Sequence, residues 1–489
     1  MQNESTQPAF LNTQKSLSSN PDASARPAIG GQVGTALVHY GPTSDETLSP
    51  DADIVGGPTA VLVCHGMGEQ VRYETISTVA QAIRSEAFAT GGIVNPIEVH
   101  LSREQGDFLA RAELTWTDSA HEKHEVHVYE AYWAPLTEGR VSYLDTLIFL
   151  FEAAWSGFTH SKLFRESTFD RWMFDGRKTM LVGSRTKVDM LCVFAVLLAQ
   201  VIIVAYVFLT LAEQYRKVVS QSLPCPGAGC LGNLLRWAGP FFPNYDVLFH
   251  PGNFAKSWWF AFGYLIIWVL IIAEALAARY FIVEYVGDVA AYICPYKDSK
   301  FDDIRHQIQG VGLNVGKVIY GFGSPQPNVP YYRKIVVVGH SLGSVLAYDT
   351  LNALINLDNV SVPPDQRNVV GRTRALITLG SPLDKTAFIF RMQAKNDQDW
   401  IREQLAASVQ PLVVSYPLYR PGGFDWVNIW TKMDIISGEL NYYDDPALTP
   451  NVPPCVQNMT DREANMPLIA HVQYFGHDIL RQQLFRFVC

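Results

Sequence analysis

Charge is scarce in this chain. Lys, Arg, Asp and Glu make up 17% of its 489 residues, hydrophobic residues make up 48%, and the net charge is −9. No basic stripe is visible, which argues against a nucleic-acid binder. No internal repeat is evident. No apolar h-region opens the chain: Met1 to about Pro50 is rich in Ser, Thr, Asn, Gln and Pro, so no secretory signal is read there. That composition cannot bury enough surface to offset its ordering entropy, and residues 1–55 are expected to form a disordered polar tail. Cysteine is sparse as well. Five of the seven are scattered, and Cys64 and Cys192 fall in apolar runs where a reduced thiol is the plain expectation. Cys225 and Cys230, in Cys-Pro-Gly-Ala-Gly-Cys, are close enough for a small disulfide if their loop faces an oxidising space. Spacing alone suits two unpaired thiols equally well.

The hydrophobic excess is concentrated in two runs. Met190 to Ala212 carries no charged residue, nor does Ser257 to Ala273. Each is able to cross a bilayer core of ~30 Å as a helix, which takes about 20 apolar residues at about 1.5 Å per residue. Trp258 and Trp259 open the second run, and Tyr206 and Tyr215 lie near the end of the first, as at membrane interfaces. Two buried core helices are the alternative. The expected organisation is a first globular segment over 56–187, a transmembrane hairpin over 188–283, and a second globular segment over 284–489. The hairpin places helices at about 189–212 and 257–279, joined by a Pro- and Gly-punctuated loop over 213–256. Two spans return the chain to its starting side. Arg171, Arg177, Lys178, Arg185 and Lys187 precede the first run, and Lys297, Lys300 and Arg305 follow the second. That bias favours a cytoplasmic side for both flanking segments.

Lys334 to Ser344 reads Lys-Ile-Val-Val-Val-Gly-His-Ser-Leu-Gly-Ser. A β-branched run ends abruptly in Gly-His-Ser-Leu-Gly, and a helix-compatible segment follows from Ser344 to Leu351. Strand, tight turn and helix are the context of a G-x-S-x-G nucleophile elbow. Gly339 and Gly343 let the backbone turn and neighbouring elements approach, leaving the Ser341 hydroxyl free in a strained bend. Upstream, Ala60 to Cys64 is a continuous apolar run suited to a central parallel strand. It ends in His65-Gly66-Met67-Gly68, at the carboxyl edge where open α/β sheets place ligands. His121, His124 and His127 fit neither a helical pair around a catalytic Glu nor a finger pattern. They read as a polar turn entering a strand over Val126 to Trp133, and no metal is expected.

With these motifs the chain resembles the α/β-hydrolase superfamily, and within it lipase- or esterase-like serine hydrolases. The resemblance covers roughly Pro58–Trp133 and Lys334–Asp478. It implies an α/β-hydrolase fold, a mostly parallel sheet flanked by helices, here interrupted by the two-helix insertion. It also implies that the His-Gly turn donates an oxyanion-hole N–H, from Met67, with Leu342 N–H as the second donor. This superfamily keeps its acid at the end of a late strand, which points to Asp434 after Trp426–Met433. Asp384, one strand earlier, is the rival. The base comes last: His471, in a His-x-x-Tyr pattern found in bacterial lipase-like hydrolases, or His477 at the start of the final helical pattern. The chain order Ser, Asp, His favours Ser341, Asp434 and His471. No cofactor is implied.

The leading expectation is a membrane-anchored serine hydrolase that cleaves carboxylic esters of lipids through an acyl-enzyme. An acyl-protein or acyl-carrier thioesterase is a rival in the same class. A noncatalytic membrane scaffold is a rival of another class. The sequence sets neither head group nor oligomeric state.

Overall fold

Lys334–His340 carries Ile335 and three successive valines, and β-branched side chains of this kind favour a pleated, buried strand. It forms β7 of a ten-stranded sheet. The computed structural model describes residues 37–40, 57–67, 70–104, 107–137, 198, 292, 299–322, 331–363, 365–386, 423–434, 436–440, 455–466 and 469–489. All fall in the compact unit Ala36–Cys489.

In chain order the elements begin with β1 (Leu37–Tyr40), β2 (Thr59–Cys64), α1 (Glu74–Ala89), β3 (Ile93–Val94), β4 (Glu98–Glu104), β5 (Asp107–Thr117) and β6 (Lys123–Ala131). After a 3-10 turn at Ala134–Leu136 come α2 (Ser299–Tyr320), β7, α3 (Leu342–Val360), the short α4 (Val369–Arg372) and β8 (Thr373–Leu379). The chain closes with β9 (Asp425–Trp430), β10 (Gln457–Thr460), α5 (Ala470–Gln473) and α6 (Asp478–Val488). Across the sheet the order is β1-β4-β5-β6-β2-β7-β8-β9-β10, with β3 paired to β5. From β6 to β10 every pairing is parallel. β4, β5 and β6 form an antiparallel flank.

Both faces of the sheet are covered. Ala60, Leu62, Ile335 and Val337 pack toward α2 and α3. Val61, Val63, Val336 and Val338 pack toward α1 and α6. The period-2 alternation of a strand therefore feeds two apolar layers at once, which is why these strands read as unbroken hydrophobic runs. The fold is α/β.

The structure departs from the sequence reading in several places. Leu37–Tyr40, within the stretch expected to be a disordered tail, forms β1 and pairs in parallel with β4. A short Leu-Val-His-Tyr run has the strand propensity to satisfy the open edge of β4, so a local signal overrides the composition around it. The other residues of 1–55 lie outside the described residues. The strand expected over Val126–Trp133 spans Lys123–Ala131. The helix after the elbow starts at Leu342, not Ser344, and runs on to Val360. Among the described residues no helix is long and apolar enough to cross a membrane. Met190–Ala212, apart from Leu198, and Ser257–Ala273 lie outside the described residues, as do Cys192, Cys225 and Cys230.

One polar knot is buried beneath α3. Tyr292 Oη donates to Asp349 Oδ2 at 2.7 Å, Gln309 Nε2 donates to the same oxygen at 3.0 Å, and Arg305 Nη2 donates to it at 3.3 Å. Arg305 and Asp349 are both buried. Breaking a buried pair by removing one partner leaves an uncompensated charge, at a cost of about 3–5 kcal/mol. Asp349→Ala is therefore expected to lower unfolding free energy by about 3 kcal/mol in a urea titration. A loss below about 0.5 kcal/mol would show that Arg305 needs no carboxylate there.

Candidate active site

The parallel register of β2 and β7 sets Cys64 opposite Gly339, so the turns leaving the two strands emerge side by side. One carries His65-Gly66-Met67 and the other Ser341. A Cβ on Gly66 would come 2.9 Å from Ser341 Cβ, and one on Gly343 would run into the carbonyl oxygens of Cys64 and His65. Glycine at these positions is a condition of the two turns meeting.

Ser341 has φ 54° and ψ −130°, a conformation that costs an L-residue on the order of 1–3 kcal/mol. The surroundings over-determine it. Ser341 N–H donates to Leu379 O at 2.9 Å, and Ser344 N–H donates back to Ser341 O at 3.0 Å. Ser344 Oγ also donates to Ser341 O at 2.6 Å and meets Ser381 Oγ at 2.6 Å. The bend is buttressed from β8, α3 and the turn after β8.

The structure brings Ser341, His471 and Asp434 together. Ser341 Oγ lies 2.7 Å from His471 Nε2, and His471 Nδ1 lies 2.9 Å from Asp434 Oδ2. His471 was expected in a loop. It sits instead on the single turn of α5, because Ala470 N–H reaches back to Met466 O at 2.8 Å. Asp434 stands beyond the end of β9, in a turn begun by Thr431. Its Oδ1 accepts Ile436 N–H at 2.9 Å, and its Oδ2 accepts Tyr474 Oη–H at 2.9 Å as well as His471. Burial pushes this carboxyl up, but His471 and these two donors outweigh it and hold the pKa at about 2.

The rivals have other partners. Asp384 is buried in the helical turn that starts at Leu383, after β8, but the carboxylate on His471 belongs to Asp434. His477 Nδ1 lies 2.6 Å from Asp461 Oδ2, at the N-cap of α6.

The oxyanion-side expectations concern Met67 and Leu342. Met67 is buried beside Gly66, and Gln70 Nε2 donates to its carbonyl at 2.9 Å. Leu342 is the first residue of α3, where amides have no intrahelical acceptor. Gly68 lies outside the described residues. His65 acts as a strut for the turn. Trp133 N–H donates to His65 Nε2 at 2.9 Å. The proton must then sit on Nδ1, which lies 2.8 Å from Gly66 O and donates to it. The Trp133 indole stacks on the imidazole at 5.0 Å, and its Nε1–H donates to His65 O at 3.1 Å. Burial lowers the His65 pKa to about 4, with the Gly66 carbonyl opposing.

Several residues of this site carried no role in the sequence reading. His340 Nε2–H donates to His471 O at 2.8 Å. Burial, then repulsion from His471, lowers its pKa to about 3. Lys385 Nζ donates to Ile436 O and Ser437 O, each at 2.9 Å, and so fixes the loop after Asp434. Gly380 has φ 56°, and a Cβ there would sit 2.8 Å from the Tyr474 ring. The Gly-Ser-Pro sequence after β8 was a visible signal for this turn, but nothing local marks Lys385 or His340.

The three histidines near β6 diverge. His127 meets Tyr332 Oη at 2.7 Å and Glu125 at 2.6 Å. His124 stacks on Trp116 and lies 3.0 Å from Asp118. Among the described residues Asp118, Glu122 and His124 are the group able to converge on an ion. Asp118 is already occupied there by Ala120 N–H, Glu122 N–H and His124.

No family model matches the sequence, and no curated protein matches it. Among solved structures, an esterase from the hyperthermophilic archaeon Pyrobaculum calidifontis aligns with a TM-score of 0.22 and 13% identity. The alignment covers 37% of this chain and 57% of the esterase, so this chain spans little more than half of that protein. A likeness of that size says nothing about this chain's chemistry.

Buried neutral histidines give the site an acid limit. His65 and His340 titrate in the folded protein at about 4 and about 3, below the unfolded value of about 6.5. The unfolded chain therefore takes up their protons first, and stability is lost as pH falls from about 6.5 toward those values, by about 1.4 kcal/mol per pH unit per histidine. His340→Gln keeps a donor near His471 O and removes one titration. Denaturant midpoints measured from pH 7 to 4 are expected to fall less steeply in that variant than in the wild type.

Proposed function

We propose that this protein is a membrane-anchored serine hydrolase that cleaves carboxylic esters of lipids. The observation that carries the reading is the chain of short contacts from Ser341 Oγ through His471 to Asp434, 2.7 and 2.9 Å. The two apolar runs supply the argument for an amphiphilic substrate.

In the proposed reaction, His471 Nε2 takes the Ser341 proton as Oγ attacks the ester carbonyl carbon. The carbonyl π electrons move to oxygen, where Met67 N–H and Leu342 N–H are the candidate donors. An essential donor of this kind is worth about 3–4 kcal/mol. Collapse of the tetrahedral species breaks the bond to the alkoxy oxygen, which leaves as the alcohol with the proton from His471. Water, deprotonated by the same imidazole, then attacks the acyl-enzyme and releases the carboxylate and free Ser341. Asp434 remains ionised throughout and stabilises the imidazolium. Tyr474 Oη–H and Ile436 N–H keep Asp434 charged and fixed, so they act on the reaction through it. No step needs a metal or cofactor.

A fluorophosphonate probe tests the nucleophile directly. Labelling of the folded wild-type chain is expected, with none in Ser341→Ala. Asp434→Asn and His471→Ala should fold and lose at least about a thousandfold in kcat on a short-chain ester. Absence of both labelling and turnover in folded wild-type protein would falsify the enzymatic reading.

Tyr474→Phe separates positioning from chemistry. Without the hydroxyl, Asp434 loses a neutralising donor and presents more charge to His471. The acidic limb of the kcat/KM profile is expected to move to higher pH, with a loss of about tenfold in kcat. An unmoved limb would assign Tyr474 a packing role only.

A further inference from the structure

The insertion between β6 and α2 has a direction. β6 runs parallel to β2 and β7 and ends at the carboxyl edge of the sheet, where the 3-10 turn leads to Thr137. α2 ends at the opposite edge: Tyr320 Oη meets Thr373 Oγ1, at the start of β8, at 2.7 Å, and Arg367 Nε donates to Gly321 O at 2.7 Å. Its first residue, Ser299, therefore lies toward the carboxyl edge. Thr137 and Ser299 thus open on the edge that carries Ser341, and the chain between them holds both apolar runs, Met190–Ala212 and Ser257–Ala273.

The same edge exposes apolar side chains around the base. Ile469 and Val472, three residues apart on the His471 turn, are 51% and 58% exposed, and Met466 is 53% exposed. Ala470 and His471, between them, are buried, so the turn puts its functional face inward and its apolar face out. Met433, beside Asp434, is 44% exposed. Thr431 Oγ1 donates to Ala464 O at 3.0 Å, which holds the Met433 turn against the loop leading to Met466. Lys432 and Arg462 are exposed beside these residues, as is Glu463.

We propose that this apolar rim, Met433, Met466, Ile469 and Val472, lies against the lipid bilayer that the two apolar runs enter, so that the Ser341 site opens toward the membrane surface. The proposal rests on the membrane-anchored reading above. An exposed apolar cluster flanked by Lys432 and Arg462, with one acidic neighbour in Glu463, fits acyl chains beneath phosphate head groups. The direction in which the insertion leaves the sheet selects a bilayer as its occupant.

Two measurements on the full chain test it. First, an environment-sensitive fluorescent amino acid is placed at position 472, or at position 360 on the opposite edge. The protein is then reconstituted in phosphatidylcholine vesicles containing a nitroxide-labelled lipid. Strong quenching at 472 and little at 360 is expected. Equal quenching at both, or none at 472, overturns the proposal whether or not the protein is an enzyme. Second, Ile469→Ser and Val472→Ser are combined. Turnover of a soluble short-chain ester should stay within about twofold of wild type, while turnover of a vesicle-borne long-chain ester should fall at least tenfold. Equal effects on the two substrates count against docking. A change of the detergent-solubilised chain from dimer to monomer would overturn the proposal in favour of an interface between copies. Loss of soluble-ester turnover in the wild type itself strikes the enzymatic reading and leaves the quenching result standing.

Discussion

The geometry of this protein hangs on the contact between the ends of two parallel strands. β2 and β7 are neighbours in space, with Cys64 beside Gly339, although among the described residues four strands and two α-helices come between them in the chain. The strand order reverses there: the chain runs from β2 outward through the antiparallel flank, returns at β6, and crosses to β7 on the other side of β2. A crevice at the carboxyl ends is the geometric result of such a reversal. What makes it narrow is glycine. With Gly66 against Ser341 and Gly343 against the carbonyls of Cys64 and His65, two turns approach at backbone distance. Any side chain at either position would push the first turn off the second.

Around that contact the protein sorts its charges by burial. Asp434, with no exposed side-chain surface, stays ionised because three donors converge on it. His65 and His340 are driven neutral by the same burial, because each has a local acceptor and no carboxylate partner. The difference decides function. A neutral His65 can accept from Trp133 N–H and donate to Gly66 at once, which only one tautomer permits. His340 uses its single N–H to grip the backbone of His471. Histidines in one small volume thus serve two purposes: two brace the backbone, while His471 holds contacts to an acid and a hydroxyl at its two nitrogens.

The sequence made the strands of the parallel half legible, because a strand buried on both faces writes an unbroken apolar run. Val336–Val338 and Ala60–Cys64 needed no tertiary information. The elbow was legible for a related reason: a common five-residue pattern gained force by standing directly between such a run and a helix-compatible segment. Asp434 and His471 could be ordered but not paired from sequence, as Asp384 and His477 offered the same residue types close by. Only tertiary contact separates them: Asp461, some distance along the chain, engages His477. Lys385, His340 and Tyr474 act through atoms distant in sequence, and no local pattern encodes a hydrogen bond to a remote carbonyl. β1 was missed because four residues of strand within a polar segment carry too little signal to outweigh composition.

The placement of the long insertion follows from the same topology. A right-handed crossover joins β6 to β7 through α2, and a crossover has two loops, one at each sheet edge. An insertion in the loop after β6 must leave from the carboxyl edge. One in the loop after α2 would leave from the amino edge, behind the site. The chain places its apolar runs in the first of these. The buried knot of Tyr292 with Arg305 and Asp349 then has a mechanical consequence. Tyr292 stands between the second run and α2 in sequence, and its hydroxyl is bound to the helix that begins at Leu342. That bond is buried and charge-assisted, so Tyr292 cannot leave the helix without uncovering Asp349.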